Sequence, residues 1–286
     1  MKQKISVVIN TLNEERNLPY ALRSIHSWAD EIVVVDMHSE DRTVEIAKQY
    51  GAKVYFHERI AAFDGARQFA IEQANNDWVL LLDADELVPE PLSRTLIDMV
   101  ASDQFDVVTI PRLNFLLGVP LMHTGWGPDQ DKHPRLFKKD KLTISATIHE
   151  FITPTEGATI LEIKYDSGMA IVHFNYTDTT HFIEKLNRYT TVEAQQAHER
   201  GERASVITFI YKPIKEFLNR YLRKGGFRDG WRGFYLSFAM AFYRISILSK
   251  IKELEVYESR ETILKEYANQ ANRILAQYQG DDSERG

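Results

Sequence analysis

Val79-Leu80-Leu81-Leu82-Asp83-Ala84-Asp85-Glu86 is an apolar run that ends on three carboxylates. Such a run reads as a buried strand, and its charge falls at the C-terminal end, the side of an open α/β sheet where ligands bind. A D-x-D pair there can hold a hard divalent cation on carboxylate oxygen, as Mg²⁺ sites that also take substrate phosphates do. Asp83 and Glu86 could equally cap a helix opening near Pro89, because acidic side chains favour helix N-termini. The flanking sequence must separate the two readings.

Upstream, Ile5 to Ile9 is a β-branched run, followed by Asn10-Thr11-Leu12-Asn13-Glu14-Glu15 and a helical pattern through Leu18, Ala21, Leu22 and Ile25. Ile32 to Val35 predicts a second strand ending at Asp36, after which Ser39-Glu40-Asp41 opens a helix carrying Val44, Ile46 and Ala47. A third strand over Ala52 to Phe56, a helix over Ala66 to Ala74 and a fourth strand over Trp78 to Leu82 complete the series. Strand and helix alternate, and the strands are apolar throughout rather than at every second residue. That pattern predicts a mostly parallel α/β sheet with helices on both faces and right-handed crossovers.

After about residue 104 the rhythm breaks into short strand-like runs (Val107 to Ile110, Arg135 to Lys138, Ala170 to Phe174) between loops rich in Gly, Pro, His and Asp. Loops of this kind commonly carry substrate contacts. From Thr179 the pattern is helical, over Phe182 to Val192, Val206 to Leu222, Phe234 to Leu254 and Ile263 to Tyr278; Gly280 to Gly286 has the composition of a disordered tail. The expected organisation is a catalytic domain over 1–176, with a nucleotide-binding half (1–104) and an acceptor half (105–176), and a helical region over 177–286.

The chain has 286 residues, 44% of them hydrophobic and 27% charged, values typical of a globular protein with a sizeable core. It contains no cysteine, which excludes disulfides, thiolate metal sites and cysteine nucleophiles and fits a reducing compartment. The N-terminal residues run into a strand pattern without the apolar region of a signal peptide, and no apolar stretch reaches the ~20 residues of a membrane span. A cytoplasmic location is expected. The net charge of −6 argues against general nucleic-acid binding.

Taken together, Ile5-Ser6-Val7-Val8-Ile9-Asn10-Thr11-Leu12-Asn13-Glu14-Glu15-Arg16-Asn17-Leu18, Val33-Val34-Val35-Asp36-Met37-His38-Ser39-Glu40-Asp41-Arg42-Thr43, Arg67 before the fourth strand, and Asp83-Ala84-Asp85-Glu86 resemble the nucleotide-binding half of the family 2 inverting glycosyltransferases. Pro134-Arg135-Leu136-Phe137, His149-Glu150, Lys185-Leu186-Asn187-Arg188-Tyr189-Thr190 and Gly226-Phe227-Arg228-Asp229-Gly230-Trp231-Arg232-Gly233-Phe234 narrow the likeness to bacterial lipopolysaccharide inner-core β-glucosyltransferases and related envelope-glycan enzymes. The resemblance implies a GT-A fold with a helical C-terminal extension and a nucleoside-diphosphate sugar donor. It also implies a divalent metal (Mg²⁺ or Mn²⁺) and inversion at the anomeric carbon. UDP and a hexose, glucose first, are the expected donor parts, and a lipopolysaccharide-core or other cell-envelope glycan or glycolipid the expected acceptor.

The same likeness implies that Asp36 accepts from the nucleotide base, although it could serve only as a capping residue. Thr11, Asn13 and Glu14 follow the first strand and are expected to wall the base and ribose pocket. Arg67 offers a guanidinium fork suited to a diphosphate, or an ordinary salt bridge. Carried over from the family, Asp85 binds metal and Asp83 binds both nucleotide and metal. Inversion by direct displacement needs one general base beside the acceptor hydroxyl, and Glu150 is the candidate. Its neighbours Ile148 and Phe151 would raise its pKa by desolvation, whereas pairing with Arg135 would make it structural. Asp129 and Asp131 compete for the role. His149 could orient Glu150 or complete a metal shell. Trp126 could stack on a sugar ring or sit in the core. Trp126, Asp129, Arg135 and His149 form the expected acceptor side.

Between residues 212 and 232, Lys212, Lys215, Arg220, Arg223, Lys224, Arg228 and Arg232 face only Glu216 and Asp229, and aromatic residues interleave with them. This composition suits an amphipathic segment on anionic lipid, which places the protein peripherally on the inner face of the cytoplasmic membrane. A solvated basic face or a lining of the acceptor groove would have the same composition. Two other functions share the fold class: a non-catalytic nucleotide-sugar or glycan-binding protein, and a sugar nucleotidyltransferase. The second would want a glycine-rich loop after the first strand, and 10–17 contains no glycine.

Overall fold

The computed structural model describes residues 3–59, 64–144, 152–257 and 259–279. Its first half runs β1 (Ile5–Thr11), α1 (Leu18–Ile25), β2 (Glu31–Asp36), α2 (Thr43–Gln49), β3 (Lys53–Phe56), α3 (Asp64–Gln73), β4 (Trp78–Asp83), β5 (Glu86–Leu87) and α4 (Glu90–Ser102). There follow β6 (Val107–Leu116), β7 (Val119–Pro120), β8 (Lys132–Lys138), β9 (Leu142–Ile144), β10 (Ile152–Pro154), β11 (Ile160–Glu162) and β12 (Ile171–Tyr176). The helices α5 (Thr179–Glu199), α6 (Val206–Leu218), α7 (Gly230–Tyr257) and α8 (Arg260–Gln279) close the described chain.

The main sheet has the order β3-β2-β1-β4-β8-β6-β12-β5, with β7 and β11 added beside β6, and β9 and β10 pair separately. From β3 to β4 it is parallel, as the alternating sequence predicts. β8 then inserts antiparallel between β4 and β6, so the sheet is mixed beyond β4. This is the GT-A architecture.

Continuous apolar strands are explained by burial on both faces. Ile5, Val7 and Ile9 of β1 and Trp78, Leu80 and Leu82 of β4 pack with α1 and α4 through Leu18, Leu22, Leu92 and Leu96. Val8, Val79 and Leu81 point the other way and meet Ala70, Ile71 and Ala74 in and just after α3. A strand with only one face covered would have alternated with polar residues.

The chain divides into two compact units, one formed by 1–183 with 218–237 and the other by 184–217 with 238–286. The first therefore draws in 218–237, a stretch that lies far beyond the boundary at 176 expected from sequence. Glycine explains part of this: a Cβ on Gly226 would lie 2.9 Å from Thr124 Cγ2 and one on Gly125 would lie 2.8 Å from Lys224 Cδ, so 218–237 packs closely on the loop that carries Thr124. In the second unit the Asn187 and Thr190 positions are structural. The Lys250 ammonium donates to the Asn187 carbonyl and amide oxygens and to Thr190 and Thr191.

Candidate active site

The parallel register brings the ends of β1, β2 and β4 level, with Thr11 beside Asp36 and Asn10 beside Asp83. Asp36 is fully buried, and its carboxylate accepts from the Thr11 hydroxyl at 2.9 Å and from the Ser39 backbone N–H at 2.8 Å and hydroxyl. It thus holds the two loops together; it caps no helix, because α2 opens at Thr43, whose N–H donates to Asp41. Asn13, in the left-handed region at φ 57°, continues the link: its N–H donates to Ser39 Oγ and its amide oxygen accepts from the Glu40 N–H. The Glu14 N–H donates to Thr43 Oγ1. The four expected base-pocket residues on these loops form one hydrogen-bonded rim.

Beyond β4, the side chains join in a charge network. Arg67 Nη2 donates to Asp83 Oδ1 at 2.7 Å, and Arg135 Nη2 donates to Asp83 Oδ2 at 3.2 Å and Glu86 Oε1 at 2.8 Å. Arg135 is therefore paired with Asp83 and Glu86. Glu86, fully buried, also accepts from the Asp83 N–H through Oε2, closing the turn after β4. Arg112 lies 3.5 Å from Glu86 Oε1 and donates to Asp131 Oδ2 at 2.9 Å. His133 Nε2 meets Asp131 Oδ1 at 2.7 Å.

Burial pushes both Asp83 and Asp131 up, but their neighbours prevail. The Arg67, Arg135 and Arg112 guanidinium groups hold Asp83 well below the usual carboxylate range, and His133 and Arg112 do the same for Asp131. At the opposite end of the sheet, burial of Glu31 is outweighed by hydrogen bonds from Lys53, Ser6 and Asn75, which bring it from 4.5 to about 2. A depressed folded-state pKa gives stability that is present above the unfolded value and lost as pH falls through the folded one. The melting temperature should hold down to about pH 4.5 and drop below it, and Glu31→Gln should flatten the part of that drop between 4.5 and 2. Equal slopes for wild type and variant in thermal melts across that range would refute the assignment.

The row Glu86–His173–Asn114 crosses three neighbouring strands in register. Asn114 Nδ2 donates to the Trp126 carbonyl and to Asp131, both acceptors, so its oxygen faces His173 Nδ1 at 2.6 Å. An amide oxygen only accepts, which fixes the proton of the neutral imidazole on Nδ1 and leaves the lone pair on Nε2. That atom lies 3.4 Å from Asp85 Oδ2. With the ring neutral, Nε2 and the Asp85 carboxylate would suit a shared cation, with Asn114 as the outer partner that sets the tautomer. Among the described residues no three His, Asp or Glu side chains form a cage. The residues present fit a divalent ion, which Asp85 and His173 would hold, as Mg²⁺ is usually bound through few protein ligands. Asp83, the other expected metal ligand, is engaged by Arg67 and Arg135.

His173, Arg112, Asn114 and Glu86 escaped the site assignment made from sequence. A signal existed for two of them: Arg112 and Asn114 are polar residues at i and i+2 in a strand, hence on one face.

On the acceptor side, Trp126 stacks on Tyr176 with ring centres 5.6 Å apart, and the Arg220 guanidinium lies 6.0 Å from its ring centre. Arg220 donates to the Thr124 carbonyl at 2.9 Å, and the Lys224 carbonyl accepts from the Thr124 N–H. These two basic residues brace the 121–130 loop. Asp129, Arg223 and Arg228 are exposed, as are Lys212 and Lys215 on α6. His149 and Glu150 lie outside the described residues.

A parallel sheet covered on both faces, continued by the antiparallel β8 and followed by a helical extension, is the architecture of the GT-A class. The chain belongs to glycosyl transferase family 2, whose model matches residues 6–155. It is 30% identical over 91% of its length to an uncharacterized glycosyltransferase of Rickettsia typhi, covering 90% of that protein. It is 29% identical over 92% of its length to the lipopolysaccharide core biosynthesis glycosyltransferase LpsC of Rhizobium meliloti, covering 97% of that protein. Among solved structures it is similar to glucosyl-3-phosphoglycerate synthase from Mycobacterium tuberculosis in complex with Mn²⁺, UDP and phosphoglyceric acid. That match has TM-score 0.34 and 25% identity, and covers 39% of this chain and 43% of the other. The protein is a glycosyltransferase. Family membership sets aside the non-catalytic and nucleotidyltransferase readings.

Proposed function

We propose that this enzyme transfers a hexose, with glucose favoured, from a UDP-sugar to a lipopolysaccharide-core or other cell-envelope glycan, with inversion at the anomeric carbon. The observation that carries the reading is the Asp85–His173 pair at the end of β4, adjoining a carboxylate gripped by Arg67 and Arg135. Positive charge and a cation seat stand together where a diphosphate would leave.

In this reading the base and ribose lie against the Thr11–Asn13–Glu14 rim, and the uracil reaches the buried Asp36 by displacing the Ser39 hydroxyl. Arg67 turns one guanidinium edge to Asp83 and serves the diphosphate with another. Asp85 and His173 hold the divalent ion, which when bound acts as a Lewis acid on the leaving diphosphate. Glu150 takes the proton of the acceptor hydroxyl. Its rival Asp131 is held far below the usual carboxylate range, and a carboxylate so stabilised as an anion is a weak proton acceptor. The likeness to LpsC over nearly the whole of both chains supports a lipopolysaccharide acceptor.

Calorimetric titration with UDP, with and without Mn²⁺ or Mg²⁺, tests the donor site. Asp85→Ala should abolish the metal-dependent part of UDP binding while leaving the far-ultraviolet spectrum intact, and His173→Gln should weaken it. Undiminished metal-dependent affinity in Asp85→Ala would remove this carboxylate from the metal site. Tighter binding of GDP or a cytidine nucleotide would overturn the choice of UDP alone.

A further inference from the structure

Helix α6 reverses the usual arrangement of an amphipathic helix. Val206, Ile207, Ile210, Tyr211 and Ile214 are each 54% to 77% exposed, whereas the buried position is Pro213. At 100° per residue these five side chains occupy one sector of about 140°. Lys215 and then Lys212 follow at one border of the sector, and the Lys215 ammonium lies 5.5 Å from the Tyr211 ring centre. The helix's one acidic residue, Glu216, points elsewhere and pairs with Arg244 at 3.4 Å. A globular protein rarely turns a contiguous apolar stripe to water without a partner for it.

We infer that α6 is an interfacial helix that seats the enzyme on an anionic lipid surface. Charge and geometry select this occupant. Large aliphatic side chains and a tyrosine face outward, and lysines at the border can lay their methylene stems along the apolar layer while their ammonium groups reach the headgroups. The chain as a whole is acidic at −6, so attraction to an anionic surface must be local, and α6 supplies it. The contact is peripheral. One helical stretch among the described residues, Gly226–Tyr257, is long and apolar enough to cross a membrane by length and composition, which the sequence alone did not suggest, but 44% of its apolar 18-residue window is buried within the protein. Its Arg244 is bound to Glu193 and Glu216.

Flotation of the full-length protein with phosphatidylethanolamine vesicles, with and without phosphatidylglycerol, tests the inference. Wild type should float with the anionic vesicles at low salt and be released as salt rises. Ile207→Ser, Ile210→Ser and Ile214→Ser should each weaken binding roughly tenfold or more, and Lys212→Gln and Lys215→Gln about fivefold each. UDP titration of the same variants serves as the check on folding, because these exposed residues take no part in the donor site. Three results would overturn the inference. The triple serine variant could float as wild type does. Wild type could fail to bind anionic vesicles while light scattering shows a dimer that the triple variant loses, making the stripe an interface between copies. Wild type could resist both salt and carbonate extraction, making Gly226–Tyr257 a span.

Discussion

Glu150→Gln is expected to leave UDP affinity unchanged and to lower turnover by roughly 10²- to 10⁴-fold, the usual contribution of a general base. The amide keeps the size and hydrogen-bonding reach of the carboxylate but has no basic oxygen, so the acceptor hydroxyl must attack with its proton in place. Binding and chemistry should therefore separate: single-turnover rates fall while the calorimetric signature of the donor persists. Asp131→Asn provides the contrast. Asp131 is engaged by Arg112, Asn114 and His133, so its loss should loosen the site, reduce stability and leave the pH dependence of turnover unaltered. Near-normal turnover of Glu150→Gln, with a pH profile that shifts in an Asp131 or Asp129 variant, would transfer the role to that residue.

Arg135→Met should be the most destabilising single change at the site, by about 3–5 kcal/mol, the cost of removing one partner from a buried ion pair. The Arg135 and Glu86 side chains are 6% and 0% exposed. Methionine fills much of the volume but leaves Glu86 with only the longer Arg112 contact on Oε1, and leaves Asp83 with Arg67. The urea midpoint should fall sharply, and UDP binding should weaken with it because the turn carrying Asp85 is closed by the same Glu86. Arg94→Ala, which breaks an exposed pair with Glu90 on α4, should leave the midpoint where it is. Equal midpoints for wild type and Arg135→Met would mean that Arg67 and Arg112 suffice to neutralise both carboxylates.

The sequence by itself determined the parallel half of the sheet. Strands buried on both faces are almost wholly apolar, and the helices between them repeat at 3.6 residues, so β1 to β4 could be placed from local pattern alone. It also determined that carboxylates cluster at strand ends, since Asp36 and Asp83 terminate apolar runs. Strands of two or three residues, such as β5, β7, β9 and β11, left no such pattern. Their extended shape comes from the ladder they join, not from their own residues. The same physics hid most of the site. Glu86, His173 and Asn114 lie in one row because β5, β12 and β6 pair in a particular register, and a slip of one residue would turn each side chain to the other face. Asp36 could be read as a base contact or as a cap, and only the approach of Ser39 and Thr11 showed that it holds the loops. The contacts of Arg135 with Asp83 and Glu86 depend on the strand order, which local pattern does not give. Amphipathic character was legible over 212–232, which overlaps the end of α6, but which side of α6 faces water depends on what else the chain packs against it, and that is a property of the tertiary structure alone.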